Sequence, residues 1–86
     1  MAYVVLLKRS AERELERLPR KIHDAVVDHL QSLAENPRPP GIKKLHGREA
    51  YRIRIGDYRV LYMIHDAKKI AEVFSVAHRK EVYRWP

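Results

Sequence analysis

The 86-residue chain has no cysteine, only three glycines and no long apolar run. Without cysteine, a disulfide, a thiol nucleophile and a thiolate metal site are excluded. The three glycines do not form a phosphate-binding loop motif. No compact set of histidines and carboxylates has the spacing of metal ligands. We therefore expect neither a metal nor another cofactor. No apolar segment approaches the length of a membrane-spanning helix, and no signal-peptide pattern precedes Ser10. A cytoplasmic protein is therefore the simplest expectation.

Positive charge is in clear excess. The chain has 18 lysines and arginines against 11 acidic residues, which gives a formal net charge of +7. This excess favours a polyanionic partner such as RNA, DNA or an acidic protein. With 45% apolar residues, the chain is expected to form a single domain over residues 1–86 around a modest core.

The hydrophobic pattern predicts one strand, two helices and then three more strands. Residues Tyr3–Leu7 form a short apolar run that indicates a buried strand. Ser10 is expected to cap the first helix, and Pro19 to begin a second helix that ends near Ala34. The order predicts an α+β domain in which two antiparallel helices cover one face of a sheet. The first strand and a mainly antiparallel three-stranded meander would make four strands, with the other face open and basic.

The segment Tyr51–Tyr62 predicts a β-hairpin around a Gly56-Asp57 turn. In that register Arg54 lies opposite Arg59, and Arg52 falls on the same face. Like charges directly across a strand pair are destabilising, so folding alone does not favour this arrangement. An anionic ligand would favour it, and phosphate matches the planar donors of arginine. By parity the core-facing side carries the hairpin tyrosines Tyr51, Tyr58 and Tyr62.

Further basic residues flank the hairpin. We interpret them as RNA-binding side chains, although charge runs are often only a solvated surface. Before the hairpin these are Lys43, Lys44, His46 and Arg48, and after the last strand they are Arg79 and Lys80.

Two residues near the C-terminal end are candidates for proton transfer. His78 lies at the end of the last strand and could act as general acid or base, the usual catalytic role of a histidine; a structural role is the alternative. Tyr83 could stack on a base or move a proton. A basic site that works without a metal predicts RNA as substrate, because the RNA 2′-hydroxyl can attack its adjacent phosphate and DNA has no such group.

Four segments of the chain resemble the RelE family of toxins from type II toxin–antitoxin modules. They are Lys44–Gly47, Tyr51–Arg54, Gly56–Tyr62 and Ser75–Tyr83, and their order covers nearly the whole chain. The resemblance implies a ribosome-dependent endoribonuclease that cuts mRNA in the A site of the 70S ribosome, and a cognate antitoxin that neutralises the basic surface. It also implies site roles: Arg52 and Arg54 assist catalysis, Arg59 and Arg79 hold the scissile phosphate, Tyr83 stacks on the target base, and a histidine near His78 serves as acid or base in some relatives.

The chain departs from well-studied members of that family at Arg52 and Arg54, where they carry lysines. Because arginine is almost never deprotonated, this departure moves the expected proton transfer to His78 or Tyr83. Two other functions stay open at this point. One is a toxin of ParE type, which has the same architecture but poisons DNA gyrase. The other is a basic module that binds RNA or the ribosome without catalysis.

Overall fold

The computed structural model describes residues 2–45 and 49–78. One strand, two consecutive helices and then a run of strands follow one another along the chain, an order that confirms the predicted α+β class. None of the helices in these two ranges is both long and apolar enough to cross a bilayer. In chain order the elements are β1 (Val4–Leu7), α1 (Arg9–Glu16), α2 (Arg20–Glu35), β2 (Lys43–Lys44), β3 (Ala50–Ile55), β4 (Tyr58–His65), a 3₁₀ turn (Asp66–Lys68) and β5 (Ile70–His78).

The described strands form one mixed sheet in the order β1-β5-β4-β3-β2. β1 runs parallel to β5, and every other neighbouring pair is antiparallel. The sheet has five strands, so the predicted number of four is wrong. The additional strand is Lys43–Lys44, which pairs with Tyr51 and Arg52 of β3. Two consecutive lysines show no alternation of apolar and polar residues, and the sequence therefore gave no strand signal there.

The two helices begin without side-chain caps. Lys8 and not Ser10 occupies the N-cap position of α1, so the predicted cap is wrong. The Ser10 hydroxyl instead donates a long hydrogen bond of 3.5 Å to the Phe74 carbonyl of β5. Pro19 is the N-cap of α2. Its ring disfavours helical backbone at Leu18, which prevents α1 from continuing, and its missing N–H costs nothing at the start of α2.

Both helices pack on the same face of the sheet and form the core with it. Tyr62 of β4 is fully buried, and its hydroxyl donates a 2.7 Å hydrogen bond to the Pro37 carbonyl in the α2–β2 connection. Burial raises the pKa of Tyr62 to about 12. The other buried members of this core are Ala11, Val26, Leu30, Leu33, Ile53, Ile55, Val60, Ile64, Ala71, Val73 and Val76.

A polar network joins the N-terminal segment, the α2–β2 connection and the β4–β5 turn. Arg38 donates two hydrogen bonds to the Asp66 carboxylate, at 3.1 and 2.8 Å, and the Tyr3 hydroxyl donates a third at 2.6 Å. These donors lower the pKa of Asp66 to about 2, with Arg38 as the largest cause. The Arg38 guanidinium also lies over the Tyr51 ring, 5.5 Å from its centroid. The network therefore links the loop before β2 to the strand that carries Arg52 and Arg54.

Candidate nucleic-acid interface

The hairpin between β3 and β4 turns over two residues, Gly56 and Asp57. Gly56 has φ +60 while Asp57 does not have a positive φ, the pattern of a type II′ turn with glycine at its first central position. Ile55 consequently pairs with Tyr58, and Arg54 pairs with Arg59. The predicted hairpin register is confirmed.

This register places four cationic side chains on the side of the sheet that the helices do not cover. Arg54 and Arg59 are cross-strand partners, and Arg52 lies two residues from Arg54 on the same strand. Lys43 of β2 pairs with Arg52 and so shares this side. We call Arg52, Arg54 and Arg59 the sheet arginines. The position of each agrees with the side predicted from the sequence.

Arg59 differs from the other sheet arginines because it is buried, with only 6% of its surface exposed. Its Nη1 donates hydrogen bonds to the carbonyls of Tyr58, at 3.2 Å, and Gly56, at 3.5 Å. Arg54 is exposed and Arg52 is half-buried. A small apolar cluster lies on the same side of the sheet, in which Leu61 and Ala77 contact Leu45 and Phe74. Arg59 is thus a fixed charge in a partly desolvated environment, where electrostatic attraction to an anion is stronger than in water.

His78 lies on the other side of the sheet. It pairs with Tyr58, and the two rings meet edge to face with centroids 5.3 Å apart. Both residues line a cleft of about 270 Å³ between the sheet and α1. Glu14 and Arg17 also line this cleft. The structure therefore brings the sheet arginines together but does not bring His78 to them.

A β-bulge determines the side on which His78 lies. The pairing of β4 with β5 shifts between Leu61, opposite Ser75, and Tyr62, opposite Val73, so that Phe74 is the extra residue. Strict alternation from the core residue Val73 would put His78 on the uncovered side. The bulge reverses that parity and turns His78 toward the helices.

The remaining predicted catalytic and RNA-binding residues divide into two groups. Lys44 pairs with Tyr51, a residue that packs against the core, and its ammonium lies 3.3 Å from the Glu49 carboxylate. Lys44 is therefore exposed but does not share the side of Lys43. The others lie outside the described residues, and their assignments stay predictions: His46, Arg48, Arg79, Lys80 and Tyr83.

Glu14 of α1 is a further residue near this region, and its role was not predicted from the sequence. Its carboxylate accepts a 2.9 Å hydrogen bond from the Val76 backbone N–H, just after the bulge. β1 pairs with β5 only as far as Val73. Glu14 therefore satisfies a strand-edge donor that β1 does not reach, and it fixes α1 to the end of β5. A glutamate within a mixed-charge helix gives no sequence signal for such a contact.

The described residues contain no group of three or more histidine, aspartate, glutamate or cysteine side chains placed to hold a metal ion. The chemistry that the uncovered side offers is that of fixed cations: three guanidinium groups and one ammonium group beside apolar surface. Such an arrangement can bind phosphate groups and stabilise negative charge that develops on them.

Comparison with known proteins places this chain among toxins. Residues 5–83 match the family model described as the ParE toxin of the type II toxin–antitoxin system, parDE. The chain is 37% identical to Toxin RelE of Mycobacterium tuberculosis over 84 residues, which cover 95% of this chain and 87% of the relative. It is 36% identical to Toxin RelG of the same organism, with coverage of 98% and 99%.

Solved structures agree with the sequence matches. A chain of the toxin–antitoxin complex RelBE2 from Mycobacterium tuberculosis superimposes with a TM-score of 0.81 at 32% identity, covering 92% of this chain and all of that chain. A chain of the intact E. coli RelBE toxin–antitoxin complex gives 0.79 at 28% identity, with coverage of 90% and 96%. The chain therefore belongs to the RelE and ParE family of type II toxin–antitoxin toxins.

Proposed function

We propose that the protein inhibits translation by cutting mRNA on the ribosome, without a metal ion. The observation that carries this proposal is the shared position of the sheet arginines on the uncovered side of the sheet. Two of them are direct cross-strand neighbours, at a cost in stability that a phosphate ligand would offset. The resemblance to RelE toxins supplies the target, and the identity to Toxin RelE and Toxin RelG supports it.

In the proposed reaction the 2′-oxygen of one nucleotide attacks its own 3′-phosphorus. The P–O5′ bond breaks, leaving a 2′,3′-cyclic phosphate on one fragment and a 5′-hydroxyl on the other. A base takes the proton of the 2′-hydroxyl, and an acid gives a proton to the 5′-oxygen. Buried Arg59 is suited to hold the scissile phosphate, and Arg52 and Arg54 to stabilise the extra charge of the transition state. Arg79 and Tyr83 complete the proposed site, with Tyr83 as the preferred proton-transfer group.

A purified translation system with a short mRNA tests this proposal. We expect wild-type protein to cut ribosome-bound mRNA and to leave 2′,3′-cyclic phosphate ends. Arg59→Gln should lower the cleavage rate by about 10²–10³-fold, the usual effect of removing one preorganised donor to a transition state. Lys68→Gln, on the exposed 3₁₀ turn, is the matched control for loss of one positive charge. Equal rates for Arg59→Gln and wild type would refute the proposed site.

The match to the ParE family model favours a second candidate function, inhibition of DNA gyrase. The two functions are separated by a gyrase supercoiling assay run beside the translation assay with the same preparations. Loss of supercoiling with intact mRNA would establish the second function in place of the first. Binding to ribosomes without any cleavage product would instead favour the non-catalytic module.

We further propose that a cognate antitoxin neutralises this protein, since its structural neighbours include the toxin–antitoxin complexes RelBE2 of Mycobacterium tuberculosis and RelBE of E. coli. An apolar groove of about 440 Å³ between β1, α1 and α2 fits one face of an amphipathic segment, and the net charge of +7 favours an acidic one. Its lining includes Val5, Leu15 and Val27. Val27 is half-buried in this groove, so the substitution Val27→Lys would place a charge in it and should abolish copurification with the antitoxin. Lys21→Ala, on the same helix but outside the groove, should not.

A further inference from the structure

The uncovered side of the sheet has an apolar end that the proposed cleavage site does not use. In the strand register, Val4 pairs with Ile70 and Leu6 pairs with Glu72, while Met63 of β4 is the other partner of Glu72. These residues alternate with core residues along their strands, so their side chains face away from the helices. Val4 and Leu6 are 56% and 44% exposed. We call Val4, Leu6, Met63 and Ile70 the apolar end.

Two rings and one carboxylate accompany the apolar end. His65 pairs with Ile70, and Phe74 packs against Leu61 on the same side of the sheet. Glu72 is half-buried, and it is the only acidic residue in the described strands. Its Oε1 lies 3.7 Å from the Nε2 of His65, which is too far for a hydrogen bond. The carboxylate therefore keeps acceptor capacity for a ligand.

The apolar end is continuous with the sheet arginines along β4. Arg59, Leu61, Met63 and His65 follow at every second residue on one side of that strand, over about 20 Å. Folding alone does not favour a carboxylate at the far end, because partial burial of an uncompensated charge costs free energy. A contiguous exposed apolar patch is typical of a binding surface. This side of the sheet thus offers cations for phosphate groups at one end, and rings with one acceptor at the other.

The distribution of charge favours RNA bases over a protein at the apolar end. The net charge of +7 opposes the approach of a second copy of the chain. An acidic protein segment would bring its carboxylates against Glu72. The bases of single-stranded RNA have free hydrogen-bonding edges, and carboxylates accept hydrogen bonds from the N4 amine of cytosine. A strand whose phosphates contact the sheet arginines is therefore a better match for Glu72 than an acidic peptide.

We propose that the apolar end binds bases of the mRNA strand that the sheet arginines hold, and that Glu72 selects bases with an exocyclic amine. His65 and Phe74 offer ring surfaces for stacking. Cytosine presents an amine where uracil presents a carbonyl oxygen, which the carboxylate repels. The inference rests on the proposed function for the identity of the strand, and it adds a choice of base to that function.

Oligonucleotides of 2′-O-methylcytidine and 2′-O-methyluridine are matched ligands that cannot be cut, because the attacking hydroxyl is blocked. Fluorescence anisotropy at one salt concentration measures their affinity for the purified protein. We expect wild type to bind the cytidine ligand about tenfold more tightly, the scale of a hydrogen bond to a charged group. Glu72→Gln should bind both ligands equally, because an amide can donate as well as accept.

Two further variants complete the test. Glu16→Gln removes the same charge from an exposed position on α1, on the helix-covered side, and should keep the preference for cytidine. Phe74→Leu keeps an apolar contact with Leu61 but loses the ring. It should weaken binding of both ligands by at least about fivefold without changing the preference, since stacking does not depend on the base.

These measurements need neither ribosomes nor cleavage, so they separate the inference from the proposed function. A cytidine preference that Glu72→Gln loses would support the base site even if ribosome-bound mRNA stays intact and the cleavage proposal fails. Equal affinities in wild type, an unchanged preference in Glu72→Gln, or no binding of either ligand at low salt would overturn the base site whatever the cleavage result. Weaker copurification of Glu72→Gln with the antitoxin, at unchanged oligonucleotide affinities, would assign the apolar end to the protein partner and overturn the RNA inference.

Discussion

His78 and Tyr58 are cross-strand partners whose rings meet edge to face on the helix-covered side of the sheet, with centroids 5.3 Å apart. Arg59, the next residue after Tyr58, faces the uncovered side. The sheet itself therefore separates the His78 imidazole from the proposed phosphate site. Of the two proton-transfer candidates predicted from the sequence, His78 and Tyr83, this separation disfavours His78.

We expect His78→Gln to keep the pH dependence of mRNA cleavage and to lower its rate by less than about tenfold, well short of the effect of losing a general acid or base. Tyr83→Phe should cause the larger loss. Cleavage rates of both variants from pH 5.5 to pH 8.5, on ribosomes saturated with each protein, check this. If His78→Gln removes a limb of the wild-type profile near neutral pH, the imidazole takes part in the reaction despite its position.

A second prediction concerns the repulsion between Arg54 and Arg59. Arg54→Thr places a good strand former opposite Arg59 and removes one of two like charges. The free energy of unfolding should rise by about 0.2–1 kcal/mol, while cleavage falls. Urea denaturation at low salt measures the gain, which should shrink at high salt because screening weakens the repulsion. Lys68→Thr is the control on the exposed turn. A destabilised Arg54→Thr protein would contradict the view that folding disfavours this pair.

The sequence was sufficient for those parts of the fold that depend on local patterns. Alternating isoleucines in β3 and the Gly56-Asp57 turn predicted both the hairpin and the side of each sheet arginine. The strand Lys43–Lys44 was missed because its pairing with β3 comes from tertiary contact and not from its own residues. The side of His78 was unpredictable because a bulge at Phe74 shifts the parity of β5 without a glycine or proline to mark it.

A third prediction follows from the Asp66 network. The carboxylate is held by Arg38 and Tyr3, and its pKa in the folded protein is about 2, below the value of about 3.8 for a free aspartate. A lowered pKa stabilises the fold above the unfolded-state value, and this contribution is lost as pH falls from about 4 to 2. Asp66→Asn should lower the unfolding temperature at pH 6 and should lose less stability across that acid range than wild type. Asp57→Asn, at an exposed hairpin turn, is the control and should follow wild type.

The last prediction concerns the buried hydroxyl of Tyr62, which donates its hydrogen bond to the Pro37 carbonyl. Tyr62→Phe leaves that buried carbonyl without this donor and should cost about 1–3 kcal/mol at pH 7. This cost should shrink at high pH. Because the folded-state pKa of Tyr62 is raised to about 12, its contribution to stability is complete below the unfolded value near 10 and disappears as pH rises toward 12. Denaturation curves of Tyr62→Phe and wild type should therefore converge between pH 10 and pH 12. A constant difference across that range would mean that burial does not hold the phenol in its neutral form.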